Sequence, residues 1–306
     1  VVAPVRADSP DEHEKTLRAL AREMKDAAGK ARLPRPFEIG ELPPKLSLAE
    51  LMPGDIGRAW RDWHTAPHLR APIGLDDLAL GPLSADLRED GPHFLIAGPP
   101  KGGKTVALRT WLLSLAARVP PEGVRLVLFD NFHHTLDPLR PLPHVWRVVS
   151  SNEEIKELFG ELREFLAGDT AQMLDPPVVL VFDDLSQFND LPLRTALAGL
   201  VTQGALRGLH VLAAGRTADM SRYAELEKAL LKYRSGLFVG SQTVETETAF
   251  FDIALPVGLG REKLPTGRGY LVRQGDYHML QVATPGDSDA LDDYVARIAA
   301  AAMQAA

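Results

Sequence analysis

The chain has 306 residues, 45% of them hydrophobic and 25% charged, which is the make-up of an ordinary globular protein of one large domain or two small ones. It has no cysteine, so disulfides and thiolate metal sites are excluded, and a reducing compartment suits it. A net charge of −7 gives no support to a nucleic-acid partner, although a basic pore loop is compatible with it. No apolar run approaches a membrane span, and no signal peptide is expected. A first residue of Val instead of Met is expected of a piece cut from a longer chain.

Ser9-Pro10-Asp11-Glu12 predicts a helix start, with Ser at the N-cap, Pro in the first turn and Glu three residues on. Leu17, Leu20, Ala21, Met24, Ala27 and Ala28 then recur at helical spacing up to Gly29. That stripe is expected to pack on the body of its own domain, or else on a neighbouring domain or subunit. Residues 32–75 are proline-rich, as in Leu33-Pro34-Arg35-Pro36 and Leu42-Pro43-Pro44. They predict an extended wrapping segment with one short helix around Trp60 and Trp63, two packing anchors on one face. Residues 1–75 are therefore taken as an N-terminal helix and wrapping segment, and residues 76–306 as the main domain.

From His93 the pattern alternates strand and helix. Strands are expected at His93–Ala97, Val124–Phe129, Val178–Phe182, His210–Ala214 and Leu237–Gly240, with a helix from Asn152 to Ala167. Such alternation gives an α/β fold, a parallel sheet with helices on both faces. Residues 267–283 predict a C-terminal β-hairpin turning at Gln274-Gly275-Asp276, and a last helix begins near Asp287.

Between the first strand and its helix stands Gly98-Pro99-Pro100-Lys101-Gly102-Gly103-Lys104-Thr105, followed by Val106. It matches G-x-x-x-x-G-K-[ST] without mismatch and in the required context, after a buried strand and before an apolar helix. Glycines let the main chain fold into a cradle whose N–H groups point at phosphate oxygens, and the helix adds its positive end. Lys104 would reach the β- and γ-phosphates of ATP, and the Thr105 hydroxyl would ligate Mg2+. Asp183-Asp184, directly after the third expected strand, supply the second half of such a site. Asp183 would hold the magnesium through a water, and Asp184 would orient the attacking water; alternatively the pair caps a turn. Aspartate is one methylene shorter than the glutamate common at the second position, and a misplacement of about an ångström can cost on the order of a hundredfold in rate. Binding is thus expected more firmly than turnover.

The fourth strand is expected between the first and third, so its end would face the γ-phosphate. There Arg216, in Ala214-Gly215-Arg216-Thr217, is either a γ-phosphate sensor or a surface arginine. Arg268 and Arg109 are the other candidates for an arginine finger. His133-His134, with Asp130 and Asp137 near, read as a surface loop, since no second cluster has ligand spacing.

With these residues placed, the chain resembles the FtsK/SpoIIIE family of ring ATPases, and within it the ATPase modules of the type VII secretion motors, EccC and EssC. Beyond the phosphate loop, the likeness rests on Pro72-Ile73-Gly74-Leu75-Asp76-Asp77, Leu142-Pro143-His144-Val145, Asp183-Asp184 and Thr266-Gly267-Arg268-Gly269-Tyr270 leading to Gln281-Val282. The resemblance implies a RecA-like P-loop fold, ATP and Mg2+, and assembly with other ATPase modules of the same motor in tandem or as a hexameric ring. It also implies secreted WXG-type protein substrates, and a cytoplasmic place at the inner face of the membrane, joined to a membrane channel through regions absent from this chain. Where DNA translocases of the family carry Asp-Glu and Thr-Gln-Arg, this chain has Asp183-Asp184 and Ala214-Gly215-Arg216. Three functions follow: a secretion-motor module, a double-stranded DNA translocase disfavoured by the acidic charge, and a nucleotide-binding scaffold that docks substrates without turnover.

Overall fold

The sheet grows outward from the apolar run that precedes the phosphate loop. The computed structural model describes residues 10–30, 41–130, 134–169, 172–240, 244–254 and 263–305, and it divides into two units, residues 1–40 and 41–306. In the first unit α1 (Pro10–Lys30) is one helix whose Leu17, Leu20 and Met24 are exposed. The cap expected at Ser9 and the proline run at 33–36 lie outside the described residues.

In the second unit α2 (Leu48–Leu51) opens on a capping box between Ser47 and Glu50, and Asp55 caps α3 (Ile56–Thr65). Trp60 is buried and its indole N–H donates to the Ala116 carbonyl (3.1 Å); Trp63 donates to the His68 carbonyl (2.7 Å). Both are packing anchors, as their spacing predicts. There follow β1 (Arg70–Asp76), β2 (Pro82–Asp86), β3 (His93–Gly98), α4 (Lys104–Arg118), β4 (Arg125–Phe129), β5 (Val145–Val149) and α5 (Asn152–Ala167). The remainder is β6 (Val178–Asp183), α6 (Leu191–Gly204), β7 (Leu209–Arg216), α7 (Glu225–Leu230), β8 (Gly236–Val239), α8 (Val244–Phe251), β9 (Arg268–Arg273), β10 (Asp276–Val282) and α9 (Ser288–Ala305).

Among the described residues one sheet holds all ten strands, in the order β2-β1-β10-β9-β8-β3-β7-β6-β4-β5. From β8 to β5 neighbours run parallel, and from β8 back to β2 they run antiparallel. Each central strand feeds both cores by simple alternation. Phe94 and Ile96 of β3 join α3, α4 and α9 on one face, while Leu95 and Ala97 join α5, α6, α7 and α8 on the other. The hairpin turns at Gln274 and Gly275, both with positive φ, as a two-residue connection requires.

Three features go beyond the sequence reading. The wrapping segment contains a strand: β1 runs across the expected 75/76 boundary, and residues 41–75 are part of the larger unit. The expected hairpin forms and extends the sheet, because β10 pairs with β1 and β9 with β8. β5 forms an edge that its short, proline-preceded sequence does not announce. β1 escapes notice because Pro72 and a shift in register between Pro72 and Gly74 break its alternation. Gly74 is required there, since a Cβ would stand 2.2 Å from the Gln281 carbonyl oxygen.

Three histidines are sealed in this core. Burial depresses His93 to about 3, and His144 and His210 to about 4; a backbone carbonyl accepts from each ring, those of Val201, Val119 and Pro92. All three are neutral when folded, whereas in the unfolded chain they take protons near pH 6.5. The unfolded state therefore binds more protons from about pH 6.5 down to about 4, and stability present above that window is lost on descending through it. By pH 4.5 each histidine is expected to cost roughly 2 to 3 kcal/mol. Urea denaturation at pH 7 and pH 4.5 checks this; equal midpoints would contradict it.

Candidate functional site

The carboxyl ends of β3, β7 and β6 lie side by side, where ligands bind in open α/β sheets. Gly98 pairs with Arg216 and Asp183 with Ala214, so the three expected groups meet at one edge by register alone. The strand order is the one expected, with β7 between β3 and β6.

Gly98, Pro99, Pro100, Lys101, Gly102 and Gly103 wrap the start of α4. A Cβ on Gly98 would stand 2.4 Å from the Val239 carbonyl oxygen, so only glycine lets the loop lie against β8. Gly103 enters α4 with φ 104, and no side chain caps the helix. The first N–H groups of α4 are thus left for an anion. The loop is held from outside: the Gly102 N–H donates to the Pro99 carbonyl (3.1 Å), and the Gly267 N–H donates to that of Gly102 (3.4 Å). Val106, in the first helical turn, is exposed.

Lys104 is half-buried and donates to the Pro99 carbonyl (2.9 Å). Burial pulls its ammonium below the ordinary lysine range, while Asp184 and then Asp183 act to restore it. Burial pushes the Asp183 carboxyl up, against hydrogen bonds from the hydroxyls of Thr135 (2.8 Å) and Thr105. Asp184 has a second occupation. Its Oδ1 accepts from both the N–H (2.9 Å) and the hydroxyl (2.6 Å) of Ser186, capping the 3-10 turn Leu185–Gln187. The turn reading thus applies to Asp184 whatever else it does.

The three candidate arginines separate clearly. Arg216 is exposed at the rim, its Nε 3.1 Å from Asp219. Arg268 is spent on structure: it donates to Gln281 Oε1 (3.1 Å) and to the carbonyls of Leu42 (3.1 Å) and Pro43 (3.2 Å). Arg109 donates through Nε (2.9 Å) and Nη2 to the Thr135 carbonyl. Both guanidiniums thus already donate through Nε and Nη2 to oxygens of the protein. His133 lies outside the described residues. His134 is exposed and comes within 3.7 Å of Asp130 and 3.5 Å of Asp137, the neighbours noted in the sequence. Arg140 is already seated on both acids, at 3.2 and 2.7 Å.

Thr135 and Gly267 were not foreseen as parts of the site. Gly267 stands in the Thr266–Tyr270 segment noted above, but only the fold brings it to Gly102, and Thr135 to Asp183. The residues present fit a nucleotide with its metal. An uncapped helix start, a glycine cradle and an ammonium suit phosphate, and the hydroxyl and carboxylate oxygens of Thr105 and Asp183 suit a hard divalent cation.

Comparison with known proteins agrees with this chemistry. Residues 58–173 match the family model described as FtsK/SpoIIIE family. The ESX secretion system protein EccC of Geobacillus thermodenitrificans is 26% identical over 266 residues, covering 82% of this chain and 17% of that protein. The DNA translocase SftA of Bacillus subtilis is 29% identical over 230 residues, 66% of this chain and 23% of its own. The chain therefore spans under a quarter of either relative's length. Among solved structures, EccC of Thermomonospora curvata (ATPases 2 and 3, in complex with a signal sequence peptide) superposes with a TM-score of 0.64 at 23% identity. That likeness covers 80% of this chain and 44% of the other, and it concerns the fold.

Proposed function

Because residues 58–173 match the FtsK/SpoIIIE family model and the relatives of the chain include EccC ATPases, we propose that it is an ATP-binding module of a type VII-like protein secretion motor. The observation that carries this is the convergence of Gly98–Thr105, Asp183 and Arg216 at the ends of three adjacent parallel strands. Main-chain N–H groups of the loop and the Lys104 ammonium bind the phosphates. Thr105 and Asp183 hold magnesium, which when bound neutralises charge on the phosphate oxygens. Asp184 orients the attacking water, and Arg216 senses the γ-phosphate. In this reading the module works beside other ATPase modules in tandem or in a ring. It acts on WXG-type substrates at the cytoplasmic face of a membrane channel reached through other parts of the machine.

Two observations favour other readings. The likeness to SftA supports a double-stranded DNA translocase. The engagement of Asp184 by Ser186 supports a scaffold that holds ATP without consuming it. One assay separates the three: ATP turnover by the wild type and by Asp184→Glu, each with and without double-stranded DNA. The secretion-module reading expects slow turnover that DNA leaves within about twofold, and a gain on the order of tenfold or more in Asp184→Glu, since placement by about an ångström carries such factors. Several-fold stimulation by DNA would move the assignment to the translocase. Undetectable turnover in both proteins would move it to the scaffold.

A further inference from the structure

Asp183 offers two carboxylate oxygens, and one is already taken. The Thr135 hydroxyl donates to Oδ2 at 2.8 Å, while the Thr105 side chain also bonds this carboxylate. Thr135 is itself fixed, because its carbonyl accepts two bonds from the Arg109 guanidinium. Arg109 stands one turn beyond Thr105 on α4, at the i, i+4 spacing that puts both on one face of the helix. The contacts therefore close a ring: Asp183 to Thr105, along α4 to Arg109, across to the Thr135 main chain, and through its hydroxyl back to Asp183.

Such a ring does for a metal-binding carboxylate what outer hydrogen bonds do for ligands generally. A carboxylate turns freely about its last torsion unless a donor holds one oxygen. With Oδ2 held, the direction of the other oxygen is set before any cation arrives, and the ordering cost is not borne at binding. We propose that Thr135 is the positioning residue of the magnesium site, holding Asp183 in its metal-binding orientation under the control of Arg109. This rests on the nucleotide-site reading given above. Thr135 touches neither nucleotide nor metal; it acts through Asp183.

The test is binding, not turnover. ATP affinity of the full chain is measured calorimetrically in EDTA and across a Mg2+ titration, for wild type, Thr135→Val and Thr135→Ser. Thr135→Val keeps the shape and removes the hydroxyl; it should need about tenfold more Mg2+ for the same gain in ATP affinity, the low end for lost outer-shell partners. Its affinity in EDTA should stay within about twofold of wild type, and Thr135→Ser, which restores a hydroxyl, should recover the wild-type Mg2+ requirement. An unchanged Mg2+ requirement in Thr135→Val overturns the inference, as does a Thr135→Ser variant no better than Val. Should Thr135→Val fail to fold, Arg109→Lys, which loosens the Thr135 main chain but keeps its hydroxyl, is read the same way, a wild-type Mg2+ requirement again counting against the inference. A wild type that binds no ATP under any condition overturns the nucleotide-site reading itself, and this inference with it. A wild type that binds ATP in EDTA and gains nothing from Mg2+ overturns only the metal role of Asp183 and Thr135.

Discussion

Lys104→Ala is expected to lower ATP affinity by at least about a hundredfold while leaving thermal unfolding within a few degrees of wild type. The ammonium sits at the mouth of an uncapped helix and makes one hydrogen bond to protein, to the Pro99 carbonyl at 2.9 Å. Its removal takes little from the fold. With nucleotide bound it would instead serve two phosphates, and hydrogen bonds to charged groups contribute roughly 1.5 to 3 kcal/mol each. Two such bonds correspond to factors of about 10² to 10⁴ in affinity. Burial already depresses the ammonium's pKa, and Asp184 and Asp183 hold it up, so the site is built to keep a charge where water is scarce. Isothermal titration with ATP and Mg2+ decides the matter: an affinity within about threefold of wild type, in a protein with a normal melting curve, would remove the phosphate role from this lysine.

Trp111→Ala is expected to destabilise the protein by about 3 to 5 kcal/mol, the usual range for emptying a large buried aromatic site. Trp111 is fully buried on α4 and meets Phe94 of β3 edge-on, with ring centroids 4.9 Å apart. Its indole N–H has no hydrogen-bond partner among the described residues, so the loss is of packing and not of a polar contact. Trp111→Phe, which keeps a ring on Phe94 and deletes that unpaired N–H, should therefore cost no more than about 1.5 kcal/mol. Chemical denaturation of the two variants gives the comparison, and near-equal midpoints would show that the site collapses around the smaller residue. Because α4 begins at the phosphate loop, this contact also fixes the helix start that faces the anion. Trp111→Ala should thus lose ATP affinity near its own melting range before wild type does.

The two expected effects sit on the two kinds of information in the chain. The phosphate loop, β3, α4, α5, β6 and the hairpin were all legible in the sequence, because each is decided by neighbours in the chain. Glycine and lysine spacing and continuous apolar runs need no distant partner to be recognised, and the structure shows α5 likewise starting on a local capping box, Ser151 with Glu154. The same locality makes Lys104, Thr105, Asp183 and Arg216 readable as a set, once the strands are known to end at one edge.

What only the folded protein decided depends on contacts between residues far apart in the chain. β1 is a strand because β10 lies against it, with Gly74 opposite Val282; its own sequence, broken at Pro72, does not specify one. Arg109 and Arg268 look alike in the sequence to Arg216, yet main-chain carbonyls at Thr135, Leu42 and Pro43 consume them, and no spacing encodes those partners. Thr135 bonds Asp183 across 48 positions. Local chemistry thus determined a glycine cradle and an uncapped helix start that suit phosphate. Sheet register, set by apolar surfaces seeking cover on both faces, decided which side chains stand around it.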